Sequence, residues 1–400
     1  MSSPVRIQPD LGFVRELQAA GGDAVKKCYQ CATCSVVCPL SPPENPYPRK
    51  EMVWAQWGLK DKLMSDIDVW LCHNCGTCSD MCPRGARPAD ALAAIRNMTY
   101  RKLVGPTVIG EWMSSSAGLP FLIAIPAVLY LFIWLVLHGF SLPAGEIKYS
   151  KLFPGDYTID PIFGAVALFV AWSFFKGVTN MWKTFSQLPR IFVLGEKQER
   201  PSIIQAIIDV VREEIITHVK WNSCGKDNTT RFKGHWSLLF AFVALAIVTS
   251  VVAVSHWGSK VPGFHFLHAA GETPMSLWNP VKMLANVGVV LFFYGLTLLT
   301  QRRLSADAQN SNSSFYDWYL LGVIWAVGIT GLGSEVLRLA DVAVLAYPMY
   351  YLHLICVFMM IAYLPWSKLG HLVYRTTALV YARVSGRLPL SREMEKILEL

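Results

Sequence analysis

Residues 28–39 read CYQCATCSVVCP and residues 72–83 read CHNCGTCSDMCP. Each run has the form Cys-x2-Cys-x2-Cys-x3-Cys-Pro, and together they hold eight of the ten cysteines. Three thiolates at x2 spacing wrap one face of a [4Fe–4S] cube, and the fourth cysteine of such a run ligates the other cube. The spacing therefore predicts one cluster on Cys28, Cys31, Cys34 and Cys82, and a second on Cys72, Cys75, Cys78 and Cys38. Structural zinc closes four ligands from paired Cys-x2-Cys units and leaves no role for a fourth cysteine before proline. A disulfide framework belongs to short secreted domains.

The 33 residues between the runs exceed what a small βαβ ferredoxin uses. Glu51–Met64 and Ala89–Leu103 have helical periodicity. This favours an α-helical ferredoxin type with clusters at helix ends. No Gly-x-Gly-x-x-Gly follows a strand pattern, so the chain shows no dinucleotide site of its own.

Outward from the cysteines the solvent changes. The chain has 400 residues, 53% hydrophobic and only 16% charged, with a mean hydropathy of +0.35. Disorder is excluded, since it needs low hydrophobicity and high net charge. Residues 1–116 hold 13 Lys+Arg and 11 Asp+Glu and read as a water-soluble unit, with no apolar leader in Met1–Lys27. Six later stretches could cross about 30 Å of hydrocarbon as helices: 117–139, 161–182, 235–256, 283–301, 315–334 and 345–366. Trp112, Trp182, Trp236, Trp257, Trp278, Trp318 and Trp366 flank their ends as an interfacial belt.

Placing the N-terminus inside puts 31 of the 36 Lys+Arg on the cytoplasmic side, which predicts both termini cytoplasmic and an inner-membrane, multi-pass protein. The net charge of +8 then needs no nucleic acid. The expected fold class is all-α. Its parts are a cytoplasmic di-cluster domain over 1–116, a six-span membrane bundle over 117–366 with a cytoplasmic loop 183–234, and a cytoplasmic tail 367–400. Ser-Asn-rich 305–314 reads as a short loop. Within the longer loop, residues 201–220 predict an amphipathic helix with Pro201 in its first turn, Ser202 and Gln205 at capping-box spacing, and an apolar face from Ile203 to Val219. It either lies on the membrane surface or docks a partner.

Ionisable residues inside a bilayer are functional by default. His353 lies in the sixth span and His371 follows it by 18 residues, five helical turns and about 27 Å along one face. Aligned imidazoles at two depths suit two stacked b haems. His235, opening the third span, is level with His371. His256 at the far end of that span is nearest in depth to His353, with His138 as a competitor. His265 and His268 are weaker candidates. His73 covers or tunes a cluster, His218 belongs to the amphipathic helix surface, and Cys224 and Cys356 read as packed thiols.

The double cysteine run resembles the iron–sulfur subunit of heterodisulfide reductases. The membrane half is similar to the cytochrome b subunits of heterodisulfide reductase and of respiratory nitrate reductase (gamma). The segments that carry this are Tyr350-Tyr-Leu-His353 through Leu364-Pro-Trp-Ser-Lys-Leu-Gly-His371, the stretch ITGLGSEVLR within Trp318–Arg338, and His235-Trp-Ser-Leu-Leu-Phe. The fusion of both halves resembles the membrane subunits of quinone-interacting membrane-bound oxidoreductases of sulfate reducers. That resemblance implies menaquinone or menaquinol as substrate, heterodisulfide reductase A-like flavin/iron–sulfur partner subunits, and adenylylsulfate reductase as acceptor. It also implies two histidines on the inner helix. Leu245 stands ten residues after His235 where the second would fall. The outer ligand is thus left open between His256 and His138, and the count between two haems and one. No Cys-Cys-Gly occurs, so no disulfide-reducing site is expected on this chain. Glu335, Arg338 and Lys282 lie at the depth of a quinone pocket, though an interfacial ion pair would use the same residues. Two alternatives stand beside quinol oxidation: a methanophenazine- or quinone-linked heterodisulfide reductase membrane subunit, and a redox-sensing membrane anchor.

Overall fold

The computed structural model of the protein describes residues 8–42, 45–188, 200–218, 229–305 and 313–387. Val219, Cys224, the rest of the 183–234 loop at 189–199 and 219–228, the loop residues 306–312 and the tail beyond 387 lie outside the described residues. The chain is about 75% helical, with no strand among the described residues.

The cysteine half is built of short helices around one long one, Pro88–Lys102, nearly all of which is buried. The other principal helices are Leu11–Leu17, Arg49–Gln56, Lys60–Ser65 and Asp68–Leu71. The expected single helix over 51–64 is two helices. Gly58 breaks it with a φ of +66°, where a side chain would be strained, and its carbonyl accepts the Asp10 amide at 3.1 Å. That bond ties the break to the N-cap of Leu11–Leu17, where the Asp10 carboxylate accepts from the Phe13 amide.

Six helices are long and apolar enough to span a membrane: Ser116–His138, Gly155–Ser186, Thr229–Gly258, Pro280–Leu304, Phe315–Leu339 and Ala343–Ala362. Their apolar side chains largely point outward, as hydrocarbon requires: Phe121, Val128, Phe132 and Val136 are all exposed along the first. Pro126 is buried within that span, which continues through it. The third and fourth spans approach closely. A Cβ on Gly295 would stand 2.6 Å from the Gly234 carbonyl, so only small residues permit this crossing.

The sixth span ends earlier than expected, at Ala362. Pro365 offers no amide to continue the ladder. Two 3-10 turns follow, Leu364–Trp366 and Lys368–Gly370, and a separate tail helix begins at His371 and runs to Val384. His353 and His371 therefore do not share one continuous helix, and counting turns across the 18 residues fails. The tail helix is the keystone. It packs on the second span, where Tyr374 fills the space a Cβ on Gly177 would need. It also meets Asp68–Leu71 through the mutually packed rings of Trp70, Tyr100 and Tyr374. The resulting core is continuous from Phe13 to Ala382.

The amphipathic segment forms Ile203–Val210 and a wider turn to Ile216. Ser202 caps it, accepting from the Gln205 amide at 3.2 Å, so Pro201 lies outside the helix. The Gln205 side chain bonds Asp209 rather than closing a capping box. Ala206, Val210, Glu214 and His218 are buried, while Ile203, Ile204, Ile207, Ile208 and Ile216 face outward.

Candidate electron-transfer site

The two cysteine runs fold alike, offset by 44 positions. Gln30 and Asn74 have positive φ, as do Ala32 and Gly76. Each run then enters a one-turn helix, Thr33–Val36 or Thr77–Asp80. Thr33 and Thr77 hydroxyls contact Cys31 and Cys75 sulfurs at 3.2 and 3.4 Å. Alternating backbone hands turn successive amides inward, a cradle for an anionic group. The Asn74 and Ala86 amides donate to the sulfurs of Cys72 and Cys82, each at 3.3 Å.

The fourth cysteines cross over. Burial pushes the Cys34 thiol up to about 11, and the thiols of Cys28, Cys31 and Cys82 push in the same direction. Cys38 is pushed up to about 12 by burial, with Cys72 and Cys75 of the other run adding to it. Cys38, Cys72, Cys75 and Cys78 line one small cavity with Tyr47 and Leu92. Cys34 and Cys78 pack with Ala89, so the two sets adjoin. The donor chemistry and the paired convergence fit two cubanes.

A larger cavity, about 620 Å³, lies between Cys72–His73 and the membrane helices. That is ample for a cofactor, since ligand cavities run from roughly 300 to 1,000 Å³. His235, His371 and His218 all line it. The rings of His235 and His371 have centroids 6.0 Å apart. At a metal–imidazole bond of about 2 Å, two rings that close could both reach one metal ion. The Nδ1–H of His371 donates to the Lys368 carbonyl at 2.7 Å, the partner arrangement that orients a histidine whose Nε2 can serve as a ligand. Burial, together with Arg375, Arg96 and Lys368, lowers His371 to about 4, against the pull of the Lys368 carbonyl. The imidazole is thus neutral, as ligation requires. His218 Nε2 contacts His235 Nδ1 at 3.1 Å, so Nε2 of His235 lies on the other side of its ring.

Charged residues suspend the second cysteine loop over this cavity. Arg231 of the third span donates to the carbonyls of Asn74 and His73 at 2.5 and 3.0 Å. Arg375 of the tail helix donates to the Trp70 carbonyl at 3.3 Å and to His73 Nε2 at 3.1 Å. His73 thus joins the cluster loop to the bundle.

On the opposite side the expected residues separate. The His353 ring lies against Gly331, where a Cβ would stand 2.9 Å from Cε1, and Nδ1 meets Thr330 Oγ1 at 3.1 Å. His256 is instead held by Asp156 at 2.5 Å, beside Lys260. His138 Nε2 donates to the Leu152 carbonyl at 3.0 Å. Among the described residues no second imidazole is in ring contact with His353. Glu335, Lys282 and Arg338 do come together: one Glu335 oxygen takes both cations at 3.0 Å. Tyr149, which donates to the Ser334 carbonyl at 2.5 Å, stacks on Tyr350 close by.

The sequence carries no signal for Arg96, Arg231 and Arg375 as site residues. Each lies on a helix whose other residues explain its composition, and only docking of the two halves aims them at one cavity.

Residues 24–86 match a family described as a 4Fe-4S dicluster domain. A subunit of the H(2):CoB-CoM heterodisulfide,ferredoxin reductase from Methanothermobacter marburgensis is 38% identical over 89 residues, which is 22% of this chain and 48% of that relative. Its counterpart from Methanothermobacter thermautotrophicus gives the same figures. An iron–sulfur subunit of the CoB--CoM heterodisulfide reductase of Methanopyrus kandleri is 38% identical over 79 residues, 20% of this chain and 41% of the relative. The chain spans about half the length, or less, of these relatives. No solved structure matches. The N-terminal region therefore resembles these heterodisulfide reductase subunits and carries a 4Fe-4S dicluster domain joined to six candidate membrane helices.

Proposed function

We propose that the chain is the membrane electron-transfer subunit of a quinone-linked oxidoreductase. The observation that carries this reading is the shared cavity: Cys72 of the second cysteine set and the facing pair His235 and His371 line the same space. His235 and His371 would hold a b haem. Cys28, Cys31, Cys34 and Cys82 would hold one [4Fe–4S] cluster, and Cys72, Cys75, Cys78 and Cys38 the other. When bound, these groups would supply one-electron carriers between membrane and soluble partner.

The protein's own contribution is positional. His218 orients the His235 ring. The Lys368 carbonyl fixes the His371 tautomer. Arg231 and Arg375 hold the Cys72–Asn74 loop against the bundle. At the far end Glu335, with Lys282 and Arg338, would meet the oxygens of menaquinol and accept a proton there. Both termini would be cytoplasmic, by the distribution of Lys and Arg.

The finer assignment follows the fusion of both halves in one chain. It places heterodisulfide reductase A-like flavin/iron–sulfur subunits as partners and adenylylsulfate reductase as the acceptor. A second reading draws on the activity that names the methanogen relatives: a membrane subunit serving a heterodisulfide reductase. The co-purified partner subunits separate the two.

The first experiment is a pyridine haemochrome count with an optical redox titration of the membrane-extracted chain. A b haem reducible by a menaquinol analogue, with one haem lost in both His235→Ala and His371→Ala, is expected. Two haems would add a site at His353 and turn the search for its second ligand to His256 and His138. No haem in the wild type sinks the reading.

A further inference from the structure

Five cationic side chains line the cavity that His235 and His371 share: Arg96, Arg231, Arg303, Lys368 and Arg375. Two carboxylates, Glu214 and Asp317, oppose them. A cavity with that excess of positive charge suits an anionic occupant. Four of the five cations have protein acceptors. Arg231 and Arg375 donate to the Trp70–Asn74 segment. Arg303 donates to Ser313 Oγ at 2.9 Å, and Lys368 pairs with Asp317.

Arg96 differs. Its Nε and Nη2 are buried and find no acceptor among the described residues. A guanidinium taken out of water without an acceptor is costly. Nε–H and Nη2–H are also the two parallel donors of the guanidinium fork, the edge that matches a carboxylate bidentately. Arg96 lies on Pro88–Lys102, the central helix of the cysteine half, and lines the same cavity as His371.

We propose that Arg96 binds a propionate carboxylate of the haem that this cavity takes. The iron–sulfur half then clamps, through its own central helix, a group whose iron ligands belong to the membrane half. This rests on the haem reading above. It has a structural consequence: haem occupancy ties the two halves together at the face that carries Cys72, so the spacing between the two carriers is set by a contact rather than by a linker.

The test is competition between haem and its dimethyl ester, in which both carboxylates are blocked, for the full membrane-extracted chain. Wild type should prefer the free acid by about tenfold, the scale of one charge-assisted pair. Arg96→Gln should lose that preference and lower the haem midpoint potential while keeping both cluster signals, and Arg96→Lys should restore part of each. Wild type accepting the ester as readily as the acid overturns the proposal, without any variant having to fold. Unchanged preference and potential in Arg96→Gln overturn it as well. Those two results leave the haem reading standing, whereas a wild type that takes no haem removes both.

Discussion

His371 opens the tail helix and His235 sits on the third span, yet their imidazoles meet edge-on, with centroids 6.0 Å apart and planes 71° apart. Each ring has its Nδ1 engaged, by the Lys368 carbonyl and by His218 respectively. This pairing puts two imidazoles from separate helices at one wall of the same cavity.

His218 is the positioning residue for this pair, so its loss should be graded rather than total. His218→Ala is expected to retain haem but with weaker affinity, within the tenfold to hundredfold range for an outer-shell partner, and with a shifted haem spectrum. His218→Asn should recover part of this. A spectrum and affinity identical to wild type would remove His218 from the site.

Crossed ligation predicts crossed damage. Cys38→Ser lies in the first run but should disrupt the cluster held by Cys72, Cys75 and Cys78. Cys82→Ser should disrupt the cluster held by Cys28, Cys31 and Cys34. Electron paramagnetic resonance of each reduced variant, with the two cluster signals resolved, decides it. Damage confined to the variant's own run would refute the crossing.

Thiol reactivity in the cluster-free chain should be uneven. Cys31 is exposed, and its thiol is held below its usual range chiefly by the Thr33 hydroxyl. Cys34, pushed up to about 11 by burial, would be thiolate in only about one molecule per thousand at pH 8. Alkylation followed by mass spectrometry should therefore label Cys31 first and Cys34 late. Thr33→Val should slow Cys31 specifically.

Glu51 gives a pH dependence of stability. It is fully buried beside Asp66 and Asp68, with Lys50 adjacent, and burial first, then Asp66, holds its carboxyl well above the usual range. A raised value means the folded chain binds this proton more tightly than the unfolded chain. The contribution is therefore complete below about pH 4.3, the ordinary glutamate value, and is lost as pH rises through the folded value. Thermal unfolding of the cluster-loaded chain, followed by visible absorbance, should show stability falling with rising pH more steeply in wild type than in Glu51→Gln. Equal slopes would show that Glu51 does not carry the effect.

Much of this architecture is legible in the sequence because it is local. The cysteine runs carry their ligand chemistry in their spacing, and all six spans appear where the apolar runs are, since a helix in hydrocarbon must satisfy its backbone internally. The sequence misleads where one residue outweighs a periodic pattern. Gly58 divides Arg49–Gln56 from Lys60–Ser65. Beyond Ala362, Pro365 and two 3-10 turns replace the continuous helix that the His353–His371 spacing assumes.

The sequence by itself determined the two cysteine runs, the six hydrophobic spans and the all-helical class, because thiolate spacing and helix hydropathy are properties of neighbouring residues. The sequence also set His235 level with His371, and the two rings do meet; only the tertiary structure decided that His218 joins them, that His256 is held by Asp156, and that Arg96, Arg231 and Arg375 surround the cavity of His235 and His371. Those relations depend on how the tail helix docks the cysteine half onto the bundle, a packing of Trp70, Tyr100 and Tyr374 to which no periodicity along the chain refers.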